Sequence, residues 1–155
     1  MEFIREEQEI ALSQLYETAK NLKDGAARYV QMLAVNKDNS IDMVYSFMDS
    51  GRLIDYNVHD IPKNGHVSSI SDLFFEAFVC ENEISELFGL HFDGLLLDFK
   101  GKFYSPATEA PMTVISPEEL ARREKEAKIK AAMEAKKKKA EEETSKKEKQ
   151  EGGVG

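Results

Sequence analysis

A single cysteine, Cys80, excludes an intramolecular disulfide. It also excludes a cysteine-ligated zinc or iron–sulfur centre, which needs several thiolates at set spacings. No apolar run approaches the ~20 residues that span a bilayer. The opening Met1-Glu2-Phe3-Ile4-Arg5-Glu6-Glu7 is acidic where a secretory leader would be basic and then apolar. These two absences lead us to expect a soluble, cytoplasmic protein that could still sit on a membrane complex. Gly25, Gly51 and Gly65 stand alone at turns, so no glycine-rich loop cradles phosphate. The serines lack a nucleophile-elbow context. His59, His66 and His91, 7 and 25 residues apart, fit no compact metal motif.

What the chain does have is charge, divided unevenly. Residues 118–155 hold 12 of the 21 basic and 10 of the 29 acidic groups. Residues 1–117 therefore carry nine basic against nineteen acidic groups, a net charge of −10. The expected organisation is one domain over residues 1–115, large enough for a single core, and a Lys/Glu-rich tail over 116–155. So acidic a body should be repelled by nucleic acid and by anionic lipid, and suits a partner with basic patches.

Residues 6–23 read as an amphipathic helix, with Ile10, Leu15, Ala19 and Leu22 on one face and Asp24-Gly25 as its stop. Three β runs follow, Tyr29–Val35, Ile41–Met48 and Leu53–Val58, separated by the turn signals Lys37–Ser40 and Asp49–Arg52. Short connections between three strands predict an antiparallel meander. Residues 61–66 form a loop. Ser71 is placed to cap a second helix, along which Leu73, Ala77, Cys80, Ile84 and Leu87 make one apolar seam. Phe74, Phe75, Phe78 and Val79 lie off that seam, so the first half of this segment must be buried in the fold or in an interface. Gly89 ends the helix. Leu95–Phe99 is expected as a short edge strand, and Lys100–Thr113 as an irregular strap held out of regular structure by Pro106 and Pro111. Ser116-Pro117-Glu118-Glu119 is a capping-box start for a charged helix or disordered tail with five acid-before-base pairs at i,i+4. The fold class is thus α+β: an N-terminal helix on an antiparallel meander, then a helical segment, then the tail.

The most distinctive stretch is Glu81-Asn82-Glu83-Ile84-Ser85-Glu86-Leu87-Phe88-Gly89-Leu90-His91-Phe92-Asp93-Gly94. Glu83 and Glu86, with Glu81 nearby, share a helical surface and could bind a hard cation, the basis of a carboxylate–metal enzyme. The Glu-x-x-His motifs of a di-iron bundle are missing. Glu86 reads as part of a solvated acidic face. Glu81 falls beside Phe88 at the seam's margin, where a carboxylate needs a cation or hydrogen bonds. A free-standing adaptor that recruits its partner through the charged tail is a further alternative, with Lys136–Lys139 facing an acidic partner or headgroups.

Residues 79–94 resemble the signature of the C-type (30 kDa) subunit family of respiratory complex I, and Ser68-Ser69-Ile70-Ser71-Asp72-Leu73-Phe74 resembles the family's approach to it. The likeness is greatest to the compact version found in Ech-type energy-converting membrane-bound NiFe hydrogenases. Asn82 stands where the family carries Arg, and Val79 where it carries Trp. After Asp93-Gly94, Leu95-Leu96-Leu97-Asp98-Phe99 replaces a His-Pro and an Arg-rich strand.

The resemblance implies a non-catalytic, cofactor-free subunit of the hydrophilic arm of an electron-transfer complex, peripheral on the cytoplasmic side of the membrane. It implies docking to a large subunit and an iron–sulfur subunit, which would carry the NiFe site and the clusters. A complex I-like NADH/quinone or formate-linked complex is the alternative. The expected docking residues are Glu81, Glu83, Phe74, Phe78, Phe88 and Gly89, with Glu81 and Glu83 pairing to basic residues of the large subunit.

Overall fold

The computed structural model describes residues 4–114 and, beyond them, positions 121, 122, 125, 128 and 129. The chain divides into two units, Met1–Val114 and Ile115–Gly155. In the second, the five described positions are helical. The capping box and most of the expected charged tail lie outside the described residues.

The meander forms as its alternation requires. Strands β2 (Arg28–Asn36), β3 (Ser40–Asp49) and β4 (Arg52–Pro62) pair antiparallel. Ser50 and Gly51 join β3 to β4 with φ of +50° and +81°, the two left-handed positions of a tight hairpin. Tyr29, Met32, Ile41, Met43, Tyr45, Phe47, Ile54, Tyr56 and Val58 point to one face of the sheet and build the core. Helix α1 (Leu15–Asp24) adds Leu15 and Ala19 to that core, and helix α2 (Ala77–Phe88) adds Ala77 and Ile84. The architecture is therefore α+β, with both helices on one side of the sheet.

The expected helix over 6–23 is half correct. Its first part is strand β1 (Ile4–Glu9), which pairs parallel with β4 at the sheet edge, giving the order β1-β4-β3-β2. A 3₁₀ turn at Leu12–Gln14 then leads into α1. Cross-strand charge helps explain why a segment reading IREEQE lies flat on the sheet. The Arg5 guanidinium reaches Asp55 at 2.7 Å, and Arg52 reaches Glu6 at 3.1 Å. Two short strands, β5 (His66–Ser68) and β6 (His91–Asp93), pair parallel and tie the entry and exit of the α2 region together. The expected strand at Leu95–Phe99 does not form. Among the described residues no helix is long and apolar enough to cross a membrane.

Among the described residues of the first unit no helix lies over the far face of the sheet, which holds two buried carboxylates. Asp55 accepts from the Ser46 hydroxyl at 2.5 Å and from Arg5. Asp42 sits at a β-bulge: between the pairs Ile41–Ile61 and Met43–Val58, β4 has two residues where β3 has one. The extra residue, Asp60, is left-handed at φ +57°, and its N–H donates to Asp42 at 3.0 Å. Burial alone would raise the Asp42 pKa, but Lys37, the Asp60 N–H and His59 together hold it down to about 2.

A carboxyl depressed in the folded state stabilises fully above its unfolded pKa, ~3.9, and loses that contribution as pH falls through the folded value. Asp42→Asn should therefore cost on the order of 1–3 kcal/mol at pH 7. The gap between variant and wild type should narrow as pH falls from about 4 to about 2. Urea unfolding over that range measures it, and a constant gap would mean that the charge on Asp42 contributes nothing.

Candidate functional site

Helix α2 carries the distinctive motif and begins later than its sequence suggests. Ser71 does not cap it. Residues 70–76 turn instead, with the N–H groups of Leu73 and Phe74 both donating to the Ile70 carbonyl. Ser71 is drawn away from the cap position because its hydroxyl is buried against Ser69 Oγ at 2.7 Å and accepts from the Leu96 N–H at 3.0 Å. At the other end Gly89, at φ +73°, closes the helix, its N–H donating to the Ser85 carbonyl. A side chain there would meet Asn64 at 3.1 Å and Ala110 at 3.2 Å, so both backbone sense and space call for glycine.

Three polar side chains of α2 are buried, and each holds a different piece of irregular chain. Glu81 has no exposed surface. One of its carboxylate oxygens accepts from the Ile70 N–H at 2.8 Å and the other from the Ser69 hydroxyl at 2.7 Å. Asn82 donates Nδ2–H to the carbonyls of Phe78 and Leu97, and its Oδ1 accepts from the Phe99 N–H at 2.9 Å. Glu86 accepts from the N–H groups of Phe103, Tyr104 and Ser105, a concave run of backbone donors that suits a carboxylate. The 95–105 strap is thereby fastened to the helix by side chains rather than by a sheet.

Two expectations change as a result. Glu86 is not part of a solvated acidic face; it is 9% exposed, because the strap's backbone groups need an acceptor there. Leu95–Phe99 is not a strand, because Asn82 and Ser71 supply the partners that a neighbouring strand would have supplied. The three glutamates also do not converge. Glu81 turns toward residues 69–71 and Glu86 toward 103–105, while Glu83 lies 3.4 Å from the Tyr104 hydroxyl. Among the described residues no three His, Cys, Asp or Glu side chains are grouped to hold a metal ion.

Of the expected docking residues, Glu81 and Phe74 are buried within this chain. Glu83, Phe78, Phe88 and Gly89 are half-buried and accessible. Sequence reasoning missed the strap's contribution. Phe75 and Phe78 rings meet at 5.0 Å, Phe78 stacks on Phe99 at 6.4 Å, Phe99 meets Phe103 at 5.3 Å, and Phe103 meets Tyr104 at 4.8 Å. The run of aromatics from 99 to 104 was visible in the sequence, but its alignment with α2 was not.

The family model described as respiratory-chain NADH dehydrogenase, 30 Kd subunit, matches residues 8–98. That span includes most of the sheet, both helices and the Glu81–Gly94 motif. No curated protein matches the chain. Among solved structures, a trypsin-resistant fragment of Nqo5 is similar at 17% identity and a TM-score of 0.50, over 57% of this chain and 78% of that one. A chain of the membrane-bound sulfane sulfur reductase, an archaeal respiratory membrane complex, is similar at 17% identity and a TM-score of 0.54, over 74% of this chain and 70% of that one. At such identities the two structures speak for the fold alone.

Burial raises the Glu81 pKa, against the Ile70 N–H and the Ser69 and Ser71 hydroxyls, which favour the anion. A carboxyl raised in the folded state stabilises fully below its unfolded pKa, ~4.3, and loses that contribution as pH rises through the folded value. Wild type should therefore lose stability over that rise, and Glu81→Gln, uncharged throughout, should lose less. Thermal unfolding between about pH 4 and 8 checks this; parallel profiles would show that burial leaves the carboxyl unperturbed. Glu86→Ala should cost about 1 kcal/mol. It should also speed amide hydrogen exchange at Phe103–Ser105 while leaving the strands protected.

Proposed function

The chain belongs to the family of the respiratory-chain NADH dehydrogenase 30 Kd subunit, and on that premise we propose that it is a non-catalytic hydrophilic-arm subunit of a membrane-associated electron-transfer complex. The match over residues 8–98 carries this reading, because it includes both the sheet and the motif helix. The site geometry supports it. The buried polar side chains of the motif are committed to holding chain segments in place, which suits a subunit that presents surfaces rather than one that turns over a substrate.

In this reading the chain docks to a large subunit and to an iron–sulfur subunit, and electrons move through those partners. The partners hold the iron–sulfur clusters and, in the Ech-type case, the NiFe site. The chain itself lies peripherally on the cytoplasmic side and reaches the membrane through other subunits. Glu83, Phe78, Phe88 and Gly89 remain available for docking, whereas Glu81 and Phe74 support that surface from beneath.

The finer assignment is an Ech-type energy-converting NiFe hydrogenase, supported by the departures at Val79, Asn82 and Leu95–Phe99 from the complex I pattern. A quinone- or formate-linked complex is the alternative. Purification of the affinity-tagged chain from its own membranes tests both levels. Stoichiometric recovery with a large and an iron–sulfur subunit is expected, and recovery of the chain alone would overturn the proposal. Nickel at about one per complex is expected for the Ech type; a nickel-free, active complex would exclude it.

A further inference from the structure

The aromatic ladder along α2 and the strap is more exposed than a structural role requires. Phe75 and Leu96 are each 58% exposed and Tyr104 is 55% exposed, with Val79, Leu97 and Phe99 also open to solvent. Contiguous apolar surface of this kind, bordered by charge, marks an interaction site more often than scattered exposed residues do. Aromatic side chains are also the residues that carry most binding energy at interfaces.

Two further observations bear on what covers it. The first is rigidity. The strap has no regular secondary structure over Leu95–Ala110, yet Asn82 and Glu86 fix its backbone at 97, 99 and 103–105. The rings are thus held in place before any partner arrives, which lowers the ordering cost of binding. The second is charge. Glu83 lies against Tyr104, Glu76 precedes α2 and Asp98 sits within the strap; Lys100 and Lys102 lie just before Phe103, but the body over residues 1–117 carries a net charge of −10. A second copy of this chain would bring the same large net negative charge to the contact and be repelled.

We propose that the ladder formed by Phe75, Phe78, Phe99, Phe103 and Tyr104 is the docking surface for one different subunit, whose contact area is apolar at its centre and carries Arg or Lys at its margin. This rests on the preceding functional reading and identifies the surface it uses. The strap is the part of the chain that presents the aromatic rings, and the buried amide and carboxylate of Asn82 and Glu86 are its positioning residues.

The test uses the tagged full-length chain expressed in its own cells, with Phe75→Asp and Phe99→Ser combined. Both side chains are exposed, so the unfolding temperature of the isolated chain should change little, while recovery of the large subunit should fall at least tenfold. Leu33→Asp, on the exposed far face of the sheet, should leave recovery unchanged. A photo-crosslinking residue at position 75 should join the chain to a single partner through a peptide rich in Arg or Lys. An intact complex with the double variant, loss only with Leu33→Asp, or a crosslink between two copies of this chain would each overturn the proposal. Wild-type chain recovered without any partner would overturn the functional reading as well, so the two failures are distinguishable.

Discussion

A chain segment without helix or strand still has to satisfy its backbone donors and acceptors, and in this protein the side chains of one short helix do so. Glu81, Asn82 and Glu86 lie within two turns of α2, and each is turned toward a different stretch of irregular chain. Burying an amide or a carboxylate in this way costs several kcal/mol unless its hydrogen bonds are made. That cost is offset because most of the partners are backbone groups of irregular chain that would otherwise be unsatisfied themselves. The helix therefore does more than fill the core with Ala77 and Ile84. It determines where residues 69–71 and 95–105 run, and so which rings reach the surface.

The protein buries carboxylates in two opposite ways. On the helix side of the sheet, Glu81 is held by hydroxyls and one amide, and burial raises its pKa. On the far side, Asp42 has Lys37, His59 and an amide, and is held near 2. The first arrangement favours the neutral acid and the second the anion. The two sides of the sheet thus respond to pH with opposite sign: raising the pH from about 2 toward about 4 charges Asp42 and strengthens its side, whereas a further rise through the folded-state pKa of Glu81 weakens the other. The difference follows from location. The far face is open enough for the long Arg5 and Lys37 side chains to reach in from solvent, whereas Glu81 lies beneath the 69–71 turn.

What could be read from the sequence was whatever depends on local periodicity. The alternation of Ile41, Met43, Tyr45 and Phe47 marks β3, the Leu73–Leu87 seam marks α2, and Phe88-Gly89 marks its stop. Strand β1 was hidden because its partner, β4, lies 48 residues further along the chain, at the pair Ile4–Arg52. Nothing local distinguishes IREEQE from the first turns of a helix. Glu86 was misread for a related reason. An acidic residue on a helix is normally solvated, and only the return of residues 103–105 to that face makes it an anchor. The motif was legible as a pattern, but its physical task was not, because that task is defined by segments the motif touches only after folding.

Asn82 shows how two departures from the family pattern can be one event. The pattern carries Arg at this position and a different, Arg-rich strand after the Asp-Gly turn. A guanidinium offers only donors. It could meet the Leu97 carbonyl, but it could not accept the Phe99 N–H that Asn82 Oδ1 accepts at 2.9 Å. The path of Leu95–Phe99 in this chain therefore requires an amide, with one donor and one acceptor side, at the head of the strap. An Arg at 82 would require the strap to run elsewhere. The substituted motif residue and the substituted strap are coupled through a pair of hydrogen bonds, and together they place Phe99 over Phe78 in the exposed aromatic row. Divergence at the centre of the motif is thus expressed as a changed surface on α2.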